Sequence, residues 1–142
     1  MPGRTFIDSS VLVYLFAGDA PKKRDVVADL LRETAADGSL VISTQVMQEV
    51  YSVVTRRFKR PLSREAAENA LRRMQAMDVI MPDAGMILAA SARCRKEGDD
   101  LADELIVEAA LRAGCTRLFS EDLQPRDEYG TLRVLNPFPG YV

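Results

Sequence analysis

The sequence predicts an α/β protein with a mainly parallel central sheet. Short apolar runs, of which residues 5–7 and 40–42 are examples, alternate along the chain with longer helical patterns. The runs are apolar throughout instead of alternating with polar residues, which is typical of strands that helices cover on both faces. A length of 142 residues is close to that of one domain, so we expect residues 1–142 to form a single domain.

Capping and breaking residues delimit the elements in order. Ser9 or Ser10 caps a short helix, Pro21 opens the second helix, Ser63 caps the fourth and Gly114 ends the last. The predicted helices span residues 10–16, 21–36, 44–58, 63–77, 83–96 and 101–113. The predicted strands span residues 5–7, 40–42, 79–81 and 117–119, with a fifth, residues 132–135, at an edge of the sheet.

The composition excludes several classes of protein. Because the chain has no histidine, it cannot use a histidine base, a Ser-His-Asp triad or a His-ligated zinc. Its two cysteines match no metal-binding spacing. No apolar run reaches the ~18 residues of a membrane span, and the N-terminus lacks the features of a secretory signal. We therefore expect a cytoplasmic protein that does not associate with membranes.

Four acidic residues are unusual in their positions. Asp8 directly follows the first strand and Asp122 lies just beyond the fourth, where open α/β sheets bind ligands. Asp103 projects into the apolar arc of the last helix, and Glu49 lies at the border of the apolar arc of the third. Each has a structural explanation as a helix cap, a turn residue or a boundary residue. Together they predict four carboxylates at one rim of the sheet.

The neighbouring acids of the last helix have an ordinary interpretation. Glu104, Glu108 and Arg112 fall on one narrow stripe, which predicts a solvated face with a Glu108–Arg112 ion pair. Four clustered carboxylates, by contrast, would raise one another's pKa unless a cation compensates them. Oxygen ligands without histidine or cysteine select hard ions, so the predicted cofactor is Mg²⁺, with Mn²⁺ as an alternative.

Four segments resemble the PIN-domain family and, more narrowly, the VapC-type toxins of bacterial toxin–antitoxin pairs. They are FIDSSVLVYLF at residues 6–16, QVMQEVYSVVTRR at 45–57, DELIVEAALRAGC at 103–115 and SEDLQ at 120–124. The LNPF sequence at residues 135–138 is also similar. The resemblance implies a PIN-like three-layer α/β/α sandwich and Mg²⁺- or Mn²⁺-dependent cleavage of RNA phosphodiester bonds.

The resemblance also assigns roles to individual residues. The implied catalytic acids are Asp8, Glu49, Asp103 and Asp122, of which Asp8 and Asp103 are predicted to bind the metal. The side chains predicted to surround this site are Ser9, Ser120 and Asp100.

One local departure from the family leaves undecided which neighbouring acid lies nearest the metal. Many relatives have an aromatic residue before the third acid and alanine after it, whereas this chain has Ala102 and Glu104. By helical angle Glu104 points away from Asp103, so we expect it at the surface or behind the metal ligands. Asp99 and Glu121 are further acids that could contribute.

The net charge of −2 gives no general attraction for RNA, so a local basic patch must supply it. The predicted RNA contacts are Arg56, Arg57, Lys59 and Arg60. This block would alternatively be a solvated helix end placed favourably against the helix dipole. The resemblance further implies a homodimer and a cognate antitoxin. The residues predicted to form an apolar strip for that partner are Val11, Leu12, Leu15 and Phe16, with Tyr14 and Tyr51 nearby.

Three other functions match parts of the pattern. A PIN-like module without catalysis would only bind a partner, but four clustered acids are hard to maintain without a metal. A receiver-type signalling domain needs an Asp after a middle strand and a Lys after the last. Ser43 and Pro82 follow the middle strands here, and no Lys follows Gly98. An RNA-processing nuclease that is not a toxin is the third alternative.

Overall fold

The computed structural model describes residues 3–37, 40–97, 100–124 and 126–138, which form a sheet with helices on both sides. The strands are β1 (Arg4–Ile7), β2 (Leu40–Ser43), β3 (Asp78–Ile80), β4 (Cys115–Phe119), β5 (Arg126–Tyr129) and β6 (Leu132–Leu135). The helices are α1 (Ser9–Leu12), a 3₁₀ helix (Val13–Phe16), α2 (Pro21–Ala36), α3 (Thr44–Arg56), α4 (Arg64–Met74), α5 (Ala84–Glu97) and α6 (Leu101–Arg112).

The sheet has the strand order β3-β2-β1-β4-β6-β5. Among the described strands, all neighbours pair in parallel except β5 and β6. Phe6 and Ile7 of β1, like Val41 and Ile42 of β2, are fully buried. Because consecutive strand residues point to opposite faces, both faces of the sheet are covered. The fold is therefore the three-layer α/β/α sandwich that the sequence predicts.

One edge of the sheet differs from the prediction. The strand predicted at the edge, β6, instead lies between β4 and β5, and its Leu132 and Val134 are buried. The edge strand β5 was not predicted, because its sequence RDEY contains no apolar run. It forms an antiparallel hairpin with β6 through Gly130, whose φ of 64° lies in the left-handed region that glycine adopts without strain.

Most helix boundaries lie close to the predicted ones. The hydroxyls of Ser43 and Ser63 accept hydrogen bonds from the main-chain N–H groups of Val46 and Ala66, so serine caps begin α3 and α4. These two helices end earlier than predicted, at residues 56 and 74. Within the described residues, every helix is too short or too polar to cross a bilayer.

Main-chain hydrogen bonds tie together the carboxyl ends of β1, β4 and β6. Asp8 N donates to Phe119 O at 3.0 Å, and Ser120 N donates to Leu135 O at 2.9 Å. Ser43, the last residue of β2, starts α3 at the same rim. This register brings Asp8, the start of α3 and the turn after β4 to one side of the molecule.

Candidate active site

A pocket of about 410 Å³ opens at this rim. Asp8 reaches it from the end of β1, Glu49 from α3, Asp103 from the first turn of α6, and Asp122 from the turn after β4. The structure thus brings together all four acids that the sequence predicts, and Asp100 lines the same pocket. Their catalytic and metal-binding roles stay predictions.

The Asp8 carboxylate is only 6% exposed and is fixed by hydrogen bonds. Its Oδ1 accepts from Ser9 N at 2.8 Å, and its Oδ2 accepts from Ser10 Oγ at 3.0 Å and Ser120 Oγ at 2.8 Å. Burial raises the pKa of Asp8; the bonds from Ser120 and Ser10 oppose that rise, and the charge of Glu49 adds to it. Hydrogen bonds therefore hold the carboxylate in a fixed orientation, while burial and the charge of Glu49 disfavour its ionised form.

Ser10 is a site residue for which the sequence predicts only a role as a helix cap. Its hydroxyl donates to Asp8 and accepts from Glu121 N at 3.0 Å, so it joins the first acid to the turn after β4. The available signal was the pair of serines directly after Asp8. Both predicted serines also lie beside acids, since Ser9 Oγ donates to Glu49 Oε1 at 2.8 Å and Ser120 Oγ donates to Asp8.

Gln45, which the sequence pattern did not single out, holds Glu49. Gln45 Nε2 donates to Glu49 Oε2 at 3.1 Å and to Ala102 O at 2.9 Å, and thereby links α3 to the start of α6. The spacing of Gln45 and Glu49, one turn apart on the polar side of α3, was the signal. Gln45 Oε1 is buried and has no hydrogen-bond partner among the described residues.

Asp103 lies in electrostatically unfavourable surroundings. Burial, followed by the charges of Asp100, Asp8, Asp122 and Glu49, raises its pKa to about 6. Four negative neighbours therefore act on a side chain that the sequence places inside an apolar arc. A cation in this pocket would reverse the effect and keep Asp103 ionised.

The donor set of the pocket suits Mg²⁺. The described part of the chain contains no group of three Asp, Glu or Cys side chains placed close enough to form a complete metal cage. Mg²⁺ does not need such a cage, because it keeps several waters and uses one or two protein carboxylates. Asp8 and Asp103 face one pocket that serine hydroxyls also line, and such oxygen donors are those that hard cations prefer.

The prediction that Glu104, Glu108 and Arg112 form a solvated face of α6 is wrong. Glu104 and Glu108 are 1% and 6% exposed, because α5 covers this side of α6. Arg93 of α5 donates from Nε to Glu104 Oε1 at 2.8 Å and from Nη2 to Glu108 Oε1 at 2.7 Å. The predicted pair is present as well, with Arg112 Nε at 2.6 Å from Glu108 Oε2. Glu104 therefore belongs to the α5–α6 contact and is not among the described residues that line the pocket.

The other acids named as contributors have different outcomes. Glu121 turns away from the pocket, because its carboxylate accepts hydrogen bonds from Tyr14 Oη and Lys23 Nζ, each at 2.5 Å. The next residue, Asp122, lines the pocket. Asp99 lies outside the described residues.

The four basic residues predicted to contact RNA lie on three separate surfaces. Arg57 lines the carboxylate pocket. Arg56 lies on a separate surface between α3 and the start of α4, and Lys59 and Arg60 line a third pocket together with Phe58. Of the four cations, Arg57 alone faces the acids in the described part of the chain.

The prediction of an apolar strip that begins at Val11 and Leu12 is also wrong for these two residues. Val11 and Leu12 are buried in the core and are not accessible to another protein. An apolar groove is present between α3 and α4 instead, where Met47, Tyr51 and Leu71 line it.

Comparison with known proteins gives one family match and several structural matches. The model of the PIN domain family matches residues 5–127. VapC20 of Mycobacterium tuberculosis, described as a toxin that cleaves the sarcin–ricin loop, is similar with a TM-score of 0.68 at 17% identity, over 83% of this chain and 89% of that one. A toxin–antitoxin complex from Klebsiella pneumoniae gives a TM-score of 0.68 at 18% identity, over 94% of this chain and 98% of that one.

DNA-bound VapBC from Salmonella typhimurium gives a TM-score of 0.69 at 13% identity, over 96% of this chain and 99% of that one. Comparison with curated protein sequences gives no significant match. Identities this low show a shared fold, and the family match extends over most of the sequence that builds the sheet and the pocket. The chain belongs to the PIN-domain family.

Proposed function

We propose that the chain is a Mg²⁺- or Mn²⁺-dependent endoribonuclease that acts as the toxin of a toxin–antitoxin pair. One observation carries the proposal: acids from four separate elements meet in one pocket, where Asp103 is surrounded by negative charge. Membership of the PIN-domain family and the likeness in fold to VapC20 and to two toxin–antitoxin complexes support it.

The residues of the pocket divide the chemistry among them. Asp8 and Asp103 would hold a divalent ion, which when bound would stabilise the charge of the phosphate and make a water more acidic. Ser10 and Ser120 keep Asp8 in a fixed orientation, and Gln45 and Ser9 do the same for Glu49. Glu49 and Asp122 are the remaining carboxylates that can accept a proton from the attacking water. Arg57 binds a phosphate next to the scissile one.

Metal binding should be measurable without RNA, because an ion that binds only the folded chain raises its melting temperature. We expect this stabilisation to be larger at about pH 7.5 than at about pH 5. The pKa of Asp103 lies at about 6, above its ordinary value, so in the metal-free protein its ionisation removes stability as the pH rises through that value. Below about pH 6 protons compete with Mg²⁺ for this carboxylate. We therefore expect a larger Mg²⁺-induced rise in melting temperature at the higher pH.

Asp103→Asn is the matched variant, and it should show little Mg²⁺-induced rise at either pH. In the same samples, cleavage of RNA by the wild-type chain should stop in EDTA. A Mg²⁺ effect on melting temperature that is equal at both pH values would contradict metal binding by Asp103. Cleavage that persists in EDTA would contradict the metal-dependent mechanism as a whole.

RNA binding should depend on Arg57 and not on its neighbour in sequence. Arg57 faces the pocket, whereas Arg56 is exposed on a different surface. Each cation that contacts a phosphate steepens the salt dependence of binding by somewhat less than one unit of slope. Arg57→Gln should weaken binding of a single-stranded oligoribonucleotide to the Asp8→Asn protein and flatten its salt slope. Arg56→Gln, which removes the same charge, should leave the affinity and the salt slope unchanged. Equal effects of the two substitutions would mean that these arginines attract RNA only through their overall charge and that Arg57 makes no specific phosphate contact.

A partner protein follows from the proposed toxin role. The apolar groove between α3 and α4, close to the carboxylate pocket through Gln48 and Ser52, is a suitable site for an amphipathic segment of an antitoxin. We also propose a homodimer, which the resemblance to VapC-type toxins implies and which could cover the exposed side chains of Met81, before α5, and Leu88, in α5. Expression of the chain alone should arrest growth of the host, and co-expression of a small protein encoded beside it should relieve the arrest. A chain that is harmless on strong expression yet cleaves RNA would instead be an RNA-processing nuclease.

A further inference from the structure

A cluster outside the pocket holds the residue that precedes Asp122. Lys23 Nζ of α2 contacts Glu121 Oε2 at 2.5 Å and Tyr14 Oη at 3.2 Å, and Tyr14 Oη donates to Glu121 Oε1 at 2.5 Å. Lys23 Nζ also lies 4.7 Å from the ring centre of Tyr14 and 5.0 Å from that of Phe138. These two rings contact each other edge to face at 5.2 Å. Both oxygens of the Glu121 carboxylate are therefore bound, by groups from two other elements.

Asp122 itself needs such support. Its side chain is exposed in a short turn, and it shares the pocket with the like charges of Asp8, Glu49 and Asp103. Repulsion among these acids favours conformations in which Asp122 turns outward. The main chain on the other side of Asp122 is bound as well, because Leu123 N donates to Ser120 Oγ at 3.1 Å.

We propose that Lys23, Tyr14 and Glu121, here called the Lys23 cluster, are positioning residues that keep Asp122 directed into the carboxylate pocket. The inference rests on the proposed nuclease function, since it gives Asp122 a role there. The geometry supports positioning rather than direct chemistry, because none of the three residues is among the described residues that line the pocket. The cluster fixes Glu121 from outside while Ser10 binds its main-chain N–H from inside, so the turn has little freedom to rotate.

The direction of the effect on metal binding separates positioning from simple electrostatics. Lys23→Met removes a positive charge, and charge alone would make the pocket more attractive to Mg²⁺. If the cluster positions Asp122, the same substitution lets that carboxylate turn out of the pocket. The loss of its negative charge beside the ion that Asp8 and Asp103 would hold makes Mg²⁺ bind more weakly. We expect Mg²⁺ affinity measured by calorimetry, and kcat for an oligoribonucleotide, each to fall by about tenfold, the scale of lost support behind metal ligands. KM should stay nearly constant.

A double-mutant cycle with Asp122→Asn provides the decisive test. In the Asp122→Asn background, Lys23→Met should have no further effect on Mg²⁺ affinity or kcat, because the residue that it positions is already neutral. Tyr14→Phe keeps the ring contact with Phe138, removes one hydrogen bond to Glu121, and should give a smaller loss in the same direction. Lys22→Met is the control, since it removes the same charge from an exposed neighbour on α2.

The outcomes distinguish this inference from the proposed function. Tighter or unchanged Mg²⁺ binding in Lys23→Met, or effects of Lys23→Met and Asp122→Asn that add in full, would overturn the positioning role while Asp122→Asn still impairs cleavage. If Asp122→Asn leaves both Mg²⁺ binding and cleavage unchanged, the role of Asp122 fails and the inference with it.

Discussion

Asp8→Asn is expected to lower the rate of RNA cleavage about 100-fold or more, the scale on which loss of an electrostatic catalytic group is felt. The substitution keeps the shape of the side chain and removes the charge that would bind the metal. The fold should be retained, because Ser9 N can still donate to the remaining oxygen and the hydroxyls of Ser10 and Ser120 can rotate to accept from the new amide. Burial already disfavours the ionised form of Asp8, so its loss should not reduce stability.

The measurement compares single-turnover cleavage rates of the wild-type chain and the variant at saturating Mg²⁺. Asp25→Asn, which neutralises an exposed acid on α2, is the matched control and should cleave at the wild-type rate. The Asp8→Asn chain should also be harmless when it is expressed alone, and it should still bind the neighbouring small protein. Cleavage by Asp8→Asn within a few fold of the wild-type rate would remove Asp8 from the metal site.

Arg93→Met is expected to lower the free energy of unfolding by about 3–5 kcal/mol, the cost of leaving buried charges without their partner. Arg93 is the cation of α5 that hydrogen-bonds both Glu104 and Glu108 on α6. Without it, Glu104 would be a nearly inaccessible carboxylate with no described ion pair, and Glu108 would keep only Arg112. Methionine fills most of the volume, so the loss reports charge rather than a cavity.

Urea unfolding at several pH values measures this effect. Burial alone would raise the pKa of Glu108, but the hydrogen bonds and the positive charges of Arg112 and Arg93 together hold that pKa below its ordinary value. Such a group stabilises the fold above its unfolded pKa and loses that contribution as the pH falls through the folded pKa. The difference in free energy of unfolding between the wild-type chain and Arg93→Met should therefore become smaller below about pH 4. Arg95→Met, an exposed control on α5, should change stability little; an equal loss there would contradict the importance of the buried network.

Helix α6 shows how far sequence reasoning reaches. Helical angles correctly separate Asp103 from Glu104, and Asp103 lies in the carboxylate pocket. The same angles cannot say what covers the polar side of the helix, and solvent was the simplest assumption. In the structure α5 covers it and supplies Arg93, a residue that no spacing within α6 could indicate. An ion pair between two helices depends on tertiary packing, which local periodicity does not contain.

The strands and the serines show the same limit in other ways. Strands β1, β2 and β4 are apolar and were predicted, whereas the polar strand β5 is defined by its hairpin with β6 and was not. Ser10 has the same local signal as any helix cap. Its role beside Asp8 depends on Glu121 N and Ser120. These follow β4, which is next to β1 in the sheet although it is distant in sequence. Sequence thus predicts which acids are unusual, and the structure adds the neutral groups that hold them.

The hydrogen bond from Ser120 to Asp8 joins residues 112 positions apart in the chain. During synthesis, Asp8, Glu49 and Asp103 are therefore made before Ser120, the partner that orients Asp8, and before Asp122. Strand β4, which pairs with β1 and sets this register, is also made late. In the proposed nuclease, the carboxylate pocket is therefore complete only after translation has passed Asp122.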